Sequence, residues 1–271
     1  MSATTVNTVE SYTYKGALQL DATYDVGATG RPWVMLVHGG YWATGGRAQM
    51  DGYAQTLNAA GFQAFSIDYS LLPQGVWPQA RYDTADALIW IKAHADQFGI
   101  DATRGAVLGF SAGGQLAAQM GVANAGAKRT NAVVSISGAN DPYRAYRYAH
   151  ATDGTTTDGY EQTTGYRKLA DYAVIATGCP PISTDAPCWD RWKSMTPQNF
   201  VTADDSPFFL VQSVDDQIVP GNSSNALRSA LANVGVPVTL KMVPGTVHSM
   251  DLLDDPDTGA AVLTFLKDRT A

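Results

Sequence analysis

The sequence predicts an α/β fold: a mostly parallel central sheet flanked by helices. Short apolar runs such as 33–37 and 105–110 alternate along the chain with stretches of helical spacing such as 80–98. Because parallel strands need crossover connections, this alternation places helices on both faces of the sheet. The length of 271 residues suits one large α/β domain, so we predict a single domain over 1–271.

The individual elements follow from local patterns. Residues 9–25 alternate apolar and polar side chains, which predicts an antiparallel hairpin. Gly61 is a typical helix stop and ends a helix over 55–60. Buried strands are predicted at 33–37, 62–69, 105–110, 132–137, 208–212 and 238–243. Helices are predicted at 80–98, at 115–121 and around 261–266.

Residues 139–200 depart from this alternation. The stretch has no clean strand pattern, and helical spacing is found only around 165–176. Connections at the carboxyl edge of such a sheet surround the ligand crevice, and long insertions there are commonly lids. We therefore predict an insertion that covers or walls the site. Its aromatic residues are Tyr143, Tyr146, Tyr148, Tyr160, Tyr166, Tyr172, Trp189 and Trp192.

Charge and hydropathy exclude some partners. The formal net charge is −7, which disfavours nucleic acid. No stretch approaches the roughly eighteen apolar residues of a membrane span. Asp153 and Asp158 match no calcium-loop spacing, so we assign them to solvated surface and predict no metal site. The oligomeric state is left open.

Two cysteines, Cys179 and Cys188, stand nine positions apart in a Pro-, Ser- and Asp-rich segment. We predict a disulfide, which favours an oxidising, secreted or periplasmic location. Two unpaired thiols are the alternative. The chain begins without an apolar signal region, so a mature form behind an added methionine and a cytoplasmic protein with reduced thiols both stay open.

The strongest catalytic signal is Gly109-Phe110-Ser111-Ala112-Gly113. An apolar strand leads in and a helix leads out, the context of a nucleophilic serine on a tight turn. Glycine on both sides gives this turn room, and the helix amino end favours a developing oxyanion. A glycine-rich turn with an incidental serine is the alternative.

A second signal is His-Gly-Gly-Tyr-Trp at 38–42, directly after the first buried strand. With a serine motif of this kind, an oxyanion hole takes one N–H from the residue after the serine and others from a loop after an earlier strand. We assign these roles to Ala112, Gly40 and Tyr41. His38 is predicted to hydrogen-bond within the loop.

A nucleophilic serine requires a base, and the base requires an orienting carboxylate. Of the four histidines, His248 alone follows Ser111 on a loop after a strand and before the last helix. The strand 208–212 runs into Asp215 and Asp216, either of which would end at the carboxyl edge. The order serine, aspartate, histidine fits this arrangement, so Ser111 and His248 are predicted to act with one of the two aspartates.

Several segments together carry a resemblance to a known group. They are His-Gly-Gly-Tyr-Trp at 38–42, Ser-Ile-Asp-Tyr at 66–69, Trp77-Pro78 with Asp83, Gly-Phe-Ser-Ala-Gly-Gly at 109–114, Ser-Met-Thr-Pro at 194–197, Asp-Gln-Ile-Val-Pro at 216–220 and His248. Over about 33–266 the chain resembles α/β-hydrolase esterases of the carboxylesterase, feruloyl and acetyl esterase type, related to hormone-sensitive lipase. In that group the acid stands four residues before the proline of Asp-x-x-Val-Pro, which implies Asp216.

The sequence departs from the group at two places. Gln212-Ser213 replaces the usual His-Gly before the acid, and Tyr41 replaces the third glycine of the lipase-type His-Gly-Gly-Gly. The second departure bears on substrate class, because His-Gly-Gly-x-Trp also occurs in arylformamidases of the same fold.

The resemblance implies hydrolysis of a carboxylic ester through an acyl-serine, without metal or organic cofactor. The expected acyl group is short or aromatic, of acetyl or feruloyl type, on a small molecule or a polysaccharide. An arylformamidase-like amidase and a non-catalytic binding protein are the alternatives. Aromatic residues expected to line the acyl pocket are Trp42, Tyr143, Tyr146, Trp189 and Trp192; a satellite core under a long loop is the other interpretation.

Overall fold

A computed structural model of the 271-residue chain describes residues 7–122, 129–151, 162–181 and 184–271. Asp153, Asp158 and Tyr160 lie outside the described residues. The strands are β1 (Asn7–Lys15), β2 (Leu18–Asp25), β3 (Arg31–Val37), β4 (Gln63–Ile67), β5 (Ile100–Phe110), β6 (Ala132–Ile136), β7 (Phe208–Ser213) and β8 (Val238–Val243). The helices are α1 (Asp51–Ala59), α2 (Gln79–Ala93), α3 (Ala95–Phe98), α4 (Ala112–Val122), α5 (Pro142–Ala149), α6 (Thr164–Thr177), α7 (Ala186–Met195), α8 (Ser223–Asn233) and α9 (Pro256–Arg269).

In the described part of the chain, the strands form one sheet in the order β1-β2-β4-β3-β5-β6-β7-β8. The hairpin β1–β2 is antiparallel, and β2 also pairs antiparallel with β4. All pairings from β4 through β3 to β8 are parallel. The predicted α/β class, the hairpin and the mostly parallel sheet are therefore confirmed.

Helices cover both faces of the sheet. Side chains alternate between the two faces along each strand, so one strand contributes to the apolar clusters on both sides. In β3, Trp33, Met35 and Val37 enter one apolar cluster, which also holds residues of α2, α4, α6, α7 and α8. Val34 and Leu36 enter the opposite cluster, which α1 and α9 cover. The carboxyl edge of the sheet is thus held rigidly between two helical layers.

One predicted helix is divided. The stretch 80–98 becomes α2 and α3, separated at His94, whose φ of −107° and ψ of 24° leave the helical region. The imidazole of His94 stacks on Trp90, with ring centroids 3.8 Å apart, and its Nδ1 lies 2.7 Å from the Trp90 carbonyl oxygen. A side chain that bonds the preceding turn stabilises the break, which apolar periodicity alone does not reveal.

The excursion 139–200 is more helical than its sequence indicates. It contains α5, α6, α7 and a 3₁₀ turn at Pro197–Phe200. A disulfide joins Cys179 to Cys188 between α6 and α7, and the indole N–H of Trp192 donates to the Cys179 carbonyl at 2.9 Å. These contacts fix the start of α7 against the end of α6.

The described residues contain neither a membrane-spanning helix nor a metal-binding cluster. No helix there is both long and apolar enough to cross a membrane. No group of three or more His, Cys, Asp or Glu side chains there is placed to hold a metal ion.

Candidate active site

The sheet brings the three predicted catalytic residues to one edge. Ser111 stands between β5 and α4, Asp216 follows β7, and His248 follows β8. Because these strands are parallel, their carboxyl ends open on the same side, where α/β sheets place their ligand sites.

Ser111 lies on a strained turn. Its φ is +53°, which L-residues rarely adopt, and its N–H donates to the Ile136 carbonyl at 2.9 Å. A Cβ on Gly109 would lie 2.0 Å from the Gly113 carbonyl oxygen, and one on Gly113 would lie 2.2 Å from that of Val37. Both flanking glycines are therefore required by close backbone approach, as the motif predicts.

Asp216 and His248 form a buried pair. The Asp216 carboxylate is fully buried, and His248 Nδ1 lies 2.7 Å from its Oδ2. Gln212 Nε2 donates to the same oxygen at 3.0 Å. The other oxygen, Oδ1, accepts the backbone N–H groups of Ile218 at 2.8 Å and Val219 at 3.1 Å. Four donors hold the carboxylate, which fixes the orientation of the imidazole.

The choice between the two aspartates follows from burial. Asp215 is exposed, and its backbone N–H donates to the Gly245 carbonyl at 3.0 Å. Asp216 alone of the pair contacts His248. The geometry therefore favours Asp216, in agreement with the Asp-x-x-Val-Pro spacing.

Three polar residues hold the acid and the histidine loop, and none of them was assigned a role in the site from the sequence. Gln212 donates to the acid. Ser137 Oγ accepts the N–H of Ser249 at 2.9 Å, and Ser213 Oγ donates to the carbonyl of Val247. All three stand at or just beyond the carboxyl ends of β6 and β7. Polar side chains at that edge are the signal that could have found them.

The loop after β3 turns tightly beside Ser111. Gly40 has a φ of +111°, and a Cβ there would lie 2.0 Å from the Thr44 carbonyl oxygen. Its own carbonyl accepts the N–H groups of Ala43 and Thr44 at 2.9 and 3.0 Å. Tyr41 follows with a φ of +57°. This turn keeps the Gly40 and Tyr41 backbone on the wall of the Ser111 cleft.

Ala112 supplies the remaining predicted N–H. It is the first residue of α4, where the backbone N–H has no acceptor within the helix. The same helix amino end carries a partial positive charge. Ala112 adjoins Ser111 in the chain, and Gly40 and Tyr41 line the cleft that holds Ser111; their oxyanion role stays a prediction.

An ion-pair cluster fixes the far end of this loop. Arg47 Nε donates to Asp21 at 2.8 Å, and its Nη1 donates to Asp68 at 2.6 Å. The backbone N–H of Arg47 also donates to the Asp68 carboxylate at 3.0 Å. Gln49 and Met50, just beyond it, line the cleft, so the cluster positions one cleft wall.

His38 is placed as a structural residue. Its ring stacks on Tyr69 with centroids 4.3 Å apart, and its Nδ1 lies 2.7 Å from the Gly39 carbonyl oxygen. Burial lowers the pKa of His38, so the neutral ring donates within its own loop. The contact agrees with the predicted hydrogen-bonding role.

The cleft itself is small, about 240 Å³. Its polar floor holds Ser111 and His248, and its apolar lining comes from Met50, Phe110, Ile218 and Met250. Its remaining lining residues are Gly39, Gly40, Tyr41, Gln49 and Ser249.

Helix α6 of the excursion packs on Tyr41, which lines this cleft. The Tyr172 ring lies 5.5 Å from the Tyr41 ring, and Lys168 Nζ lies 4.7 Å from the Tyr41 centroid. Tyr166 donates its hydroxyl to the Asp216 carbonyl at 2.7 Å. Burial, with the nearby charge of Asp216, raises the pKa of the Tyr41 hydroxyl, which keeps it protonated.

The predicted aromatic pocket residues do not line the cleft. Trp42 is 2 % exposed in the apolar core, and its indole N–H donates to Gln115 Oε1 at 3.1 Å. The prediction that Trp42 contacts substrate is therefore corrected: buried against α4, its ring has no open face. Tyr143 and Trp189 line a separate pocket with Trp192, so their predicted place above Ser111 is also corrected. Their position follows from the packing of α7 on α5, where Trp189 contacts Tyr143; the disulfide ties α7 to the end of α6.

These features define a class of protein. A parallel sheet, a serine on a strained strand-to-helix turn and a buried aspartate–histidine pair in the order Ser111, Asp216, His248 are those of an α/β hydrolase. The BD-FAE family model matches residues 23–231. Because this match covers well over half of the chain, the protein belongs to the BD-FAE family.

Curated relatives and solved structures agree with this assignment. The chain is 29% identical over 251 residues to esterase LipC of Mycobacterium tuberculosis, covering 87% of this chain and 58% of LipC. It is 27% identical over 261 residues to the probable carboxylic ester hydrolase LipM of the same organism, covering 89% and 56%. The chain thus spans little more than half of either relative. A truncated carbohydrate esterase from gut microbiota shares the fold, with a TM-score of 0.80, 22% identity and coverage of 100% and 98%.

Proposed function

We propose that the protein hydrolyses carboxylic esters through an acyl-serine formed on Ser111. The observation that carries this proposal is the buried Asp216–His248 pair, joined at 2.7 Å, with His248 and Ser111 lining the same cleft. The esterase names of LipC and LipM support it. They also favour esters as substrates over formamides, the alternative that the His-Gly-Gly-x-Trp motif allows.

In the first step Ser111 Oγ attacks the ester carbonyl, and its proton passes to His248 Nε2. Asp216 keeps the other imidazole proton on Nδ1, so Nε2 is free to accept. The carbonyl oxygen becomes an oxyanion, which the N–H groups of Gly40, Tyr41 and Ala112 stabilise. Collapse expels the alcohol, which takes the proton back from His248.

In the second step water replaces the alcohol. His248 accepts a proton from the water, whose oxygen attacks the acyl carbon of the acyl-serine. The same three N–H groups stabilise the second oxyanion. Its collapse releases the carboxylic acid and returns the proton to Ser111 Oγ, so all acid–base groups in both steps come from the chain itself.

The size of the cleft favours a short acyl group. Its volume of about 240 Å³ lies below the roughly 300–1,000 Å³ of pockets that enclose drug-sized ligands. Its apolar lining, Met50, Phe110, Ile218 and Met250, suits a small alkyl chain. We therefore place acetyl esters ahead of feruloyl esters, carried by a small molecule or by a polysaccharide.

Helix α6 makes the excursion part of the substrate site. A Cβ on Gly165 would lie 2.1 Å from the Gln217 carbonyl oxygen, so α6 packs closely on the loop that follows the acid. Its residues Lys168 and Tyr172 contact Tyr41, so α6 supports a residue of the cleft wall. In this proposal the lid role belongs to α6 and not to the segment around Trp189.

The disulfide supports a location outside the reducing cytoplasm. Structural disulfides persist in oxidising compartments, and Cys179 and Cys188 are bonded to each other. A secreted or periplasmic location is therefore proposed over a cytoplasmic one.

The test of the reaction compares Ser111 with a serine outside the cleft. Ser111→Ala should abolish hydrolysis of p-nitrophenyl acetate and labelling by a fluorophosphonate, read as the mass increase of the intact chain. Ser229→Ala, at an exposed serine of α8, is the matched control and should keep both. If folded Ser111→Ala hydrolysed the ester at the wild-type rate, the proposal would be refuted.

Substrate class needs parallel substrates. We expect kcat/KM to fall from p-nitrophenyl acetate through longer p-nitrophenyl esters to methyl ferulate, and N-formylkynurenine to be hydrolysed least. Fast deformylation without hydrolysis of any ester would instead establish an amidase. Absence of turnover and of fluorophosphonate labelling in the wild type would leave a non-catalytic binding protein.

A further inference from the structure

A second pocket lies in the excursion, between α5, α7 and the 3₁₀ turn Pro197–Phe200. It is called the Trp189 pocket here and has a volume of about 210 Å³. Among the described residues, it shares no lining residue with the Ser111 cleft. Its lining includes Tyr143, Trp189, Trp192, Lys193, Gln198 and Asn199.

Aromatic rings form its apolar wall. Tyr143 and Trp189 meet edge to face at 75°, with centroids 5.2 Å apart, and Tyr143 lies 6.5 Å from Trp192. Trp192 is buried, whereas Tyr143 is 36% exposed and Trp189 is half-buried. The wall is therefore open to a ligand while its base is packed into the core.

The disulfide makes this wall rigid. Cys188 directly precedes Trp189 and is bonded to Cys179, whose carbonyl accepts the indole N–H of Trp192 at 2.9 Å. Two aromatic residues of the pocket are thus tied to one covalent bridge. A rigid aromatic surface loses little conformational entropy when a ligand packs on it.

One residue of the pocket lining has a buried polar atom without a hydrogen-bond partner. Gln198 Oε1 is buried without a hydrogen bond, and such an unmet acceptor is destabilising unless a donor reaches it. Asn199 Nδ2 donates to the Lys193 carbonyl at 2.9 Å, which fixes a second amide at the rim. Aromatic walls with a few placed amides are typical of small-ligand sites.

The charges near the pocket are paired. Asp141, which also lines it, accepts the N–H and Nε of Arg144 at 2.9 and 3.2 Å. Lys193 Nζ lies 3.5 Å from the Asp190 carboxylate. A pocket whose cation and anion each have a local partner favours a neutral ligand over a charged one.

We propose that the Trp189 pocket binds one neutral sugar unit of a carbohydrate chain, apart from the site of hydrolysis. A pyranose has an apolar C–H face that packs on aromatic rings, and hydroxyl groups at its edge that hydrogen-bond to polar lining residues such as Gln198 and Asn199. The pocket holds about seven water volumes of roughly 30 Å³ each, which suits a single ring. The site thus binds the carrier of the ester, not the ester bond.

The test uses unesterified probes, so binding needs no turnover. The wild-type chain is titrated with xylotriose, cellotriose and mannotriose, followed by calorimetry and by tryptophan fluorescence. Saturable binding of at least one probe is expected. Trp189→Ala should weaken it roughly tenfold, the loss for an aromatic contact of about 1.4 kcal/mol, and Gln198→Leu should weaken it several-fold. Tyr82→Ala removes an aromatic residue that is 53% exposed on α2 and should change nothing.

Each outcome decides the proposal. Loss of binding in both pocket variants, with the p-nitrophenyl acetate kcat/KM of Trp189→Ala unchanged, supports it. No saturable binding of any probe, or full binding by Trp189→Ala, overturns it. If Trp189→Ala does not fold, as judged by circular dichroism, Gln198→Leu and the shift of the Trp189 indole N–H resonance on titration decide instead. A failed esterase assay would leave the binding result intact, so the two proposals fail separately.

Discussion

Replacing Asp216 by asparagine changes the proposed triad at the atom that sets the histidine tautomer. Oδ1 accepts two fixed backbone donors, the N–H groups of Ile218 and Val219, so the asparagine oxygen must take that place. The amide nitrogen then lies where Oδ2 was, 2.7 Å from His248 Nδ1, and donates to it. The imidazole proton moves to Nε2, which can no longer accept the proton of Ser111.

The expected cost follows from that tautomer. Loss of the general base with the geometry kept lowers kcat about 10⁴-fold, which corresponds to about 5 kcal/mol in activation free energy. Gln212 Nε2, 3.0 Å from Oδ2, would face another donor and must rotate, so a small loss of stability accompanies the change. The assay is kcat and KM for p-nitrophenyl acetate, with thermal melting to show that the variant folds.

Asp215→Asn is the matched control one residue away. Its side chain is exposed, and the contact that it makes to Gly245 is through the backbone, so kcat should stay within a few-fold of wild type. A folded Asp216→Asn with kcat within tenfold of wild type would refute the reasoning. So would the reverse order of the two variants, since the acid would then be Asp215.

Three further outcomes are expected. Gly113→Ala should lower the free energy of unfolding, measured by urea titration, by about 3 kcal/mol or more, because its Cβ would lie 2.2 and 2.3 Å from two carbonyl oxygens. The control Gly52→Ala, whose Cβ would meet nothing within 4 Å, should be at least as stable as wild type. Cys179→Ser with Cys188→Ser should cost about 2–3 kcal/mol, since the bridge closes a loop over a separation of nine residues; two free thiols in the native protein would contradict it. Ser137→Ala removes the acceptor of an N–H in the loop of His248, the proposed base, and should lower kcat for p-nitrophenyl acetate several-fold, for a bond of about 1 kcal/mol, with KM unchanged.

The sheet, and the edge of it at which the three proposed catalytic residues lie, could be predicted because they depend on local patterns. Apolar runs mark the parallel strands, and the glycines around Ser111 mark a turn whose need is steric: a Cβ at Gly109 would lie 2.0 Å from a carbonyl oxygen. Since parallel strands end at one edge, residues that follow β5, β7 and β8 must meet there. Chain order and strand direction were sufficient to bring Ser111, Asp216 and His248 together.

The pocket residues could not be predicted, because their surroundings are set by distant partners. Trp42 is turned into the core by Gln115, 73 positions away, and no local pattern distinguishes that burial from exposure in a cleft. The place of Trp189 depends on how α7 packs on α5. The actual apolar lining comes instead from residues such as Met50 and Met250, which belong to short 3₁₀ turns without a periodic signal.

Gln212 and Ser213, four and three positions before Asp216, show how a departure from the esterases that the chain resembles is accommodated. Gln212 accepts the hydroxyl of Ser224 at 3.1 Å and donates to Asp216 at 3.0 Å. Ser213, next along β7, donates to the carbonyl that precedes His248. Because neighbouring strand residues point to opposite faces, one of them holds the acid and the other holds the histidine loop. The end of a single strand thus fixes both partners of the 2.7 Å contact, so substitutions at either position should act on kcat without touching the substrate.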